Sequence, residues 1–143
     1  MKQLLTPFYL IAATFVGLAD TLYLSYFAYS NAVPSCAIGG CEVVLTSQYS
    51  HFFGVPLAYI GLVYYVYMLA LMVLLAMDPR SRTLSVATLG YTAIGFALSL
   101  IFEFYIQGTL IHAYCMYCAI SALTTLVLFS LAVWHWRSAK RNA

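Results

Sequence analysis

VPLAYIGLVYYVYMLALMVLLAM, residues 55–77, decides the fold, because it runs for 23 residues without a charge. A bilayer is crossed by a helix of roughly 20 apolar residues. No strand alternation is present in the run. Inside lipid a segment must satisfy its own backbone N–H and C=O groups, so a stretch this long is a helix. Working outward, Pro7–Tyr29 precedes it, and Leu84–Ile106 and Cys115–Trp136 follow, each long enough to span. Pro7 and Pro56 are expected at helix starts, where a missing N–H costs nothing. Pro79 follows the second run and Pro34 lies in the first loop. The prediction is an all-α membrane protein. A single four-transmembrane-helix bundle occupies residues 1–143, with spans of about 7–29, 55–77, 84–106 and 115–136 and an outer loop over 30–54.

Composition points the same way. Of 143 residues, 64% are hydrophobic and 7% charged, with a mean hydropathy of +0.92. Soluble domains carry about 25% charged residues. A soluble enzyme, a nucleic-acid binder and a disordered chain are all excluded on that basis. The net charge of +2 is too small to imply a polyanionic partner. Lipid is the implied surroundings, and nucleic acid is not expected as a partner.

With four spans, both termini and the middle loop share one side. All six cations fall there: Lys2, Arg80, Arg82, Arg137, Lys140 and Arg141. Cytoplasmic loops collect Lys and Arg, so the termini are predicted to be cytoplasmic in a multi-pass cell-membrane (inner-membrane) protein. Trp134, Trp136 and many tyrosines near span ends suit an interfacial belt. The first apolar run exceeds the roughly 7–15 residues of a signal-peptide core, and no small-residue cleavage site follows, so it is expected to be retained.

All four cysteines fall on the other side: Cys36 and Cys41 in the first outer loop, and Cys115 and Cys118 opening the fourth helix. Disulfides persist in that oxidising compartment and seldom in the cytosol. Cys115-Met116-Tyr117-Cys118 is a C-x-x-C at a helix N-terminus, where i and i+3 share a face. Helix-end charge and free N–H groups favour a thiolate there, and the thiolate is the attacking species in disulfide exchange. Helical rise puts Cys118 about 4.5 Å deeper than Cys115. Cys115 can therefore meet the outer loop while Cys118 looks toward the bilayer. Gly39-Gly40 lets the segment between Cys36 and Cys41 bend. A flexible pair facing a fixed pair reads as an electron relay working through a mixed disulfide. On the residues alone, two structural disulfides or a four-cysteine zinc site remain open alternatives. A thioredoxin-type C-x-x-C is not, because its βαβ context is missing.

The whole pattern resembles the vitamin K epoxide reductase family of four-helix membrane thiol oxidoreductases. The resemblance covers essentially the whole chain. It rests on the loop pair Cys36/Cys41, the later Cys115-x-x-Cys118, Ser47 six residues after the second loop cysteine, Phe53-Gly54, and the run GVPLAYIG. It implies that Cys118 reacts with a quinone of the menaquinone, ubiquinone or phylloquinone type. It further implies that Cys115 passes the disulfide to Cys41, and that Cys36 exchanges with a reduced thioredoxin-fold oxidase. Ser47 and Phe53 are implied near the quinone, on a short outer helix over about Glu42–Ser50 that caps the bundle, and no metal is implied. Leu57 and Ala122 stand at quinone-site positions where vertebrate members have asparagine and tyrosine, which argues against their epoxide chemistry here. Bacterial relatives often carry the thioredoxin-fold domain fused to the C-terminus. This chain stops at Ala143, so its partner is expected on a separate polypeptide. A second bacterial quinone-dependent family has its C-x-x-C in the first outer loop, the reverse of the order here.

A hollow beside the inner sulfur is expected. Asp20 and Glu103 are candidate proton relays, since intramembrane carboxylates are functional candidates by default. His112 is expected to be an exposed interfacial residue. Gly17, Gly61, Gly90 and Gly95 are expected to permit close helix packing. The competing class is a non-enzymatic membrane protein with structural disulfides, and vitamin K quinone or epoxide reduction is the competing activity.

Overall fold

The computed structural model describes residues 2–141, with side chains from Leu4 onward, so the Lys2 side chain and the extreme termini of the predicted domain lie outside the described residues. Four helices are long and apolar enough to cross a membrane: α1 (Lys2–Tyr29), α3 (Leu57–Met77), α4 (Arg82–Leu100) continued by a π-helical segment (Ile101–Ile111), and α5 (Met116–Arg141). Between α1 and α3 lie a short helix α2 (Cys41–Leu45), a 3-10 turn (Gln48–Ser50) and strands β1 (His51–Phe52) and β2 (Val55–Pro56).

The interior is more polar than the surface. Thr14, Thr88, Thr92 and Thr125 are buried, while Phe8, Val66, Ile94 and Leu123 face outward. Lipid tails are as apolar as leucine, so association rests on close packing and on polar contacts between helices. Several buried hydroxyls return to their own helix: Thr14 donates to the Leu10 carbonyl at 2.7 Å and Thr92 to Thr88 at 2.8 Å. The apolar centre is Leu10, Tyr65, Met68, Met72, Leu75 and Leu128. α1 packs against α3 and α5, and α5 also packs against α4. α3 meets α4 through Tyr64 and Tyr91, whose rings stack at 4.7 Å and whose hydroxyls each donate to the other's carbonyl at 3.2 Å.

Small residues permit these approaches at three of the four expected glycines. A Cβ on Gly17 would sit 2.2 Å from the Tyr65 ring, one on Gly95 2.0 Å from the Tyr64 hydroxyl, and one on Gly61 3.0 Å from Thr21. Gly90 differs, since a Cβ there would meet nothing within 4 Å.

The described structure corrects the sequence reading in four places. Pro7 lies inside α1, because the helix begins at Lys2. The capping helix is not continuous over 42–50. It ends at Leu45, and Ser47 adopts an extended backbone before the 3-10 turn. Residues 51–56 form a hairpin, with His51 opposite Pro56 and Phe52 opposite Val55. Its two-residue loop, Phe53-Gly54, has positive φ at both positions (51° and 81°), the primed turn whose twist matches that of paired strands. The third span also runs on to Ile111, past the expected end at Ile106, so only the four residues 112–115 separate it from α5.

Candidate functional site

Four sulfurs meet at one end of the bundle. The chain leaves α1 with Asn31 at φ 52° and runs exposed through Ser35 to Gly39, apart from buried Pro34 and half-buried Cys36. Cys36 is disulfide-bonded to Cys41, with 5.7 Å between their Cα atoms. Cys41 opens α2 and is fully buried, so only the first half of the segment is an open loop. Cys41, Val44 and Cys115 form a small core of their own, against which Cys36, Cys118, Phe102 and Met116 pack. The two pairs thus share one apolar cluster.

The turn carrying Cys115 is fixed from three sides. His112 reverses the chain in the left-handed region at φ 57°, and its side chain is exposed, as the sequence reading expects. The Ala113 N–H donates to the Gln107 carbonyl at 3.2 Å. Gln107, fully buried, accepts the Cys115 N–H at its side-chain oxygen at 2.8 Å, while its amide nitrogen donates to Glu103 at 2.8 Å. The Cys115 carbonyl takes the Ala119 N–H at 3.0 Å, which makes Cys115 the capping residue of α5.

Electrostatics at Cys115 follow from that position. The Cys118 thiol donates to its sulfur, and the backbone N–H groups of Cys118 and Tyr117 in the first turn of α5 add to the stabilisation. Burial and the Asp20 carboxylate oppose them, and the net result lowers the Cys115 thiol from 9.0 to about 7. The shift raises the share of thiolate near neutrality, the form that attacks a disulfide. Cys115 and Cys118 are free thiols, the first buried and the second partly exposed.

Docking of the outer segment onto this turn leaves no spare room. A Cβ on Gly40 would sit 2.0 Å from the Tyr114 carbonyl oxygen and 3.0 Å from its carbonyl carbon and nitrogen. Gly40 and Tyr114 precede Cys41 and Cys115, so the two backbones touch directly beside the two pairs. A second tie comes from the C-x-x-C itself: the Tyr117 hydroxyl donates to the Ser35 carbonyl at 2.8 Å, next to Cys36.

The other sequence-predicted residues stand as follows. Ser47 is half-buried and its hydroxyl donates to the Val44 carbonyl at 2.7 Å. Phe53 is 92% exposed at the hairpin tip, its ring edge-on to Phe52 at 4.6 Å. Leu57 and Ala122 are half-buried on α3 and α5. Asp20 is buried, and its Oδ2 has no hydrogen-bond partner in the structure. It lies within electrostatic reach of Cys115, Cys118 and Tyr65. Cavities of about 650 and 420 Å³ open at the opposite end, the first lined by Trp136, Arg137 and Lys140 and the second by Leu5, Tyr9 and Leu131. Neither adjoins Cys118, where the sequence reading places a hollow.

Residues 8–133 match the profile of the vitamin K epoxide reductase family. The chain belongs to the vitamin K epoxide reductase family. It is also similar to the thiol-disulfide oxidoreductase LTO1 of Arabidopsis thaliana, 35% identical over 121 residues. That alignment takes in 80% of this chain and 32% of the relative, so the chain spans about a third of the relative's length. The sequence reading missed Gln107 and Gly40 as site residues. Gln107 lies just past the third span, which the sequence reading ends at Ile106, and Gly40 was read as one half of a bending Gly-Gly. The signals were a lone amide eight residues before Cys115 and a glycine directly preceding Cys41.

Proposed function

We propose that this chain is a membrane thiol:quinone oxidoreductase that makes disulfides and hands them to a separate thioredoxin-fold partner. One observation carries the reading: buried Cys41 and buried Cys115 pack in one cluster, with the first in a disulfide and the second a free thiol held by Cys118. Structural disulfides would leave no purpose for an activated, unbonded C-x-x-C beside an oxidised pair.

Neither cavity adjoins Cys118, and what supports a quinone is the chemistry around its thiol. A partly exposed thiol stands within electrostatic reach of a buried carboxyl oxygen that has no partner, an arrangement suited to a polar ring oxygen in an apolar wall. Cys118, Asp20, Leu57 and Ala122 would hold it, together with Ser47 and Phe53 as family resemblance implies. When bound, a quinone supplies a two-electron, two-proton acceptor, which is the stoichiometry of closing one disulfide. The protein's own steps then follow. The Cys118 and Cys115 thiols give up two electrons and two protons, and an S–S bond forms between them. Cys41, as a thiolate, attacks Cys115, which forms a mixed disulfide and releases Cys118. Cys36 then attacks Cys41, closing the outer disulfide and releasing Cys115. In this reading, an oxidised outer pair beside a reduced inner pair is what the protein holds once the transfer is complete. A reduced partner dithiol next attacks Cys36 and leaves with the disulfide, returning two thiols to the outer pair.

The cations at the opposite end support placing the cysteines outside the cytoplasm, in an inner membrane. Purified protein, given a reduced thioredoxin-fold substrate and a soluble quinone, should reduce the quinone stoichiometrically with substrate disulfide. Cys118→Ala should abolish that reaction, and normal turnover in the variant would sink the assignment. Quinone epoxide in place of quinone tests the alternative activity directly.

A further inference from the structure

The fully buried Gln107 is not used by the relay, yet it is the only side chain among those described that the structure shows bonded to the Cys115 backbone. Its carboxamide is oriented without ambiguity. Cys115 presents an N–H, so it must face oxygen, and the nitrogen must then face the Glu103 carboxylate, as observed. Glu103 and Gln107 are four residues apart on the π-helical segment, the element that runs on past the expected span end. Wide helical turns of this kind recur at functional sites.

We propose that Gln107 is a positioning residue. By accepting the Cys115 N–H and donating to Glu103, it holds the Cys115 sulfur at the head of α5, between Cys118 and the Cys36–Cys41 disulfide. The inference rests on the relay reading but concerns only the state of Cys115. A capping side chain accepts N–H groups from the first turn only while its own backbone is held in the capping geometry. At Cys115 those acceptor contacts involve Tyr117 and Cys118. With the N–H tied to a buried, anchored amide, rotation about the side-chain bond is the motion left for turning the sulfur from Cys118 toward Cys41. Remove the amide oxygen and the N–H is left buried and unpaired, a state that proteins avoid by rearranging the backbone.

The test reads the pH dependence of Cys115 alkylation in the full-length protein in detergent, without quinone or partner. It therefore fails separately from the relay reading, which Cys118→Ala turnover decides. The groups facing Cys115 are Asp20 from α1, Cys118 and Tyr117 from α5, and Glu103 through Gln107. The outer segment presents a disulfide, which does not titrate in this range, and α2 carries an exposed Glu42. Wild type should react with a midpoint near 7. Gln107→Leu should move the midpoint upward by about one pH unit, which is about a fivefold slower reaction at pH 7 and about a tenfold slower one well below it. Gln107→Glu should be similarly impaired, because two carboxylates then oppose each other. The swapped protein, Glu103→Gln with Gln107→Glu, rebuilds both hydrogen bonds with the same net charge and, although its carboxylate stands nearer the thiolate, should bring the midpoint clearly below that of Gln107→Glu. A wild-type midpoint in Gln107→Leu overturns the proposal. So does a swapped protein that does not fold or that keeps the shifted midpoint. Where Gln107→Leu fails to fold, the swapped protein decides alone.

Discussion

Adding a single methyl group at Gly40 should uncouple the two cysteine pairs. Gly40 has φ −112° and ψ −10°, a conformation that alanine adopts freely, so Gly40→Ala introduces no backbone strain. Its effect is steric. The new Cβ would lie 2.0 Å from the Tyr114 carbonyl oxygen, and ordinary contact begins at 3.4 Å, so the segments must part by about 1.4 Å. Backbone stands on both sides of this contact, and no rotamer change relieves it. Overpacking of this kind costs about 1–3 kcal/mol. The kinetic effect should exceed the loss of stability, because Cys41 and Cys115 must come within bonding distance and a displacement of about 1 Å can slow a positioned reaction by about 100-fold. The assay begins with fully reduced protein, oxidises the inner pair with a quinone pulse, and follows the outer disulfide by acid quench and alkylation. Gly40→Ala should slow its appearance by one to two orders of magnitude while leaving inner-pair oxidation unchanged (roughly the range set by misplacement). Gly39→Ala is the control. It places an alanine at φ 74°, with nothing within 4 Å of its Cβ, so it introduces local strain without separating the pairs. Wild-type transfer in Gly40→Ala, or equal slowing in both variants, would refute the reasoning.

Other perturbations read other parts of the account. Cys118→Ala should raise the Cys115 alkylation midpoint from near 7 toward the usual thiol range, because the Cys118 thiol is the largest stabiliser of that thiolate. The sign follows from the shift. A lowered thiol is reactive above about pH 7 and loses its thiolate as pH falls through that value. Gly17→Ala should destabilise the bundle by about 1–3 kcal/mol in detergent melting, since its Cβ would lie 2.2 Å from the ring of fully buried Tyr65. Tyr117→Phe removes the hydroxyl held by the Ser35 carbonyl and should speed amide exchange around Cys36 without blocking inner-pair oxidation. Asp20→Asn should slow quinone reduction while leaving transfer between the two pairs intact, and an unchanged quinone rate would remove Asp20 from the mechanism.

The spans were legible because hydrophobic length is a coarse signal that tertiary detail does not override. The cysteine pairs were legible through their order and sidedness. Other features depended on local geometry that a hydropathy reading does not register. The π-helical continuation to Ile111 was hidden because Gln107, Gly108 and Thr109 look like the end of a span, although burial of Gln107 against the Cys115 turn keeps the chain helical. The hairpin escaped because its strands are two residues each and its turn begins with phenylalanine, which rarely adopts positive φ. The break after Leu45 follows from Thr46 and Ser47, whose hydroxyls bond back to the carbonyls of Glu42 and Val44 and so compete with helix continuation. Pro7 was read by a rule about first turns, whereas α1 starts five residues earlier.

The relay itself is tested most directly by trapping its intermediate. With Cys36→Ala and Cys118→Ala combined, Cys41 and Cys115 have lost the thiols that resolve their bond. Mild oxidation of the purified double variant should then give an intramolecular Cys41–Cys115 disulfide, identified by peptide mass spectrometry. Both thiols remaining free, or pairing only between molecules, would contradict the account.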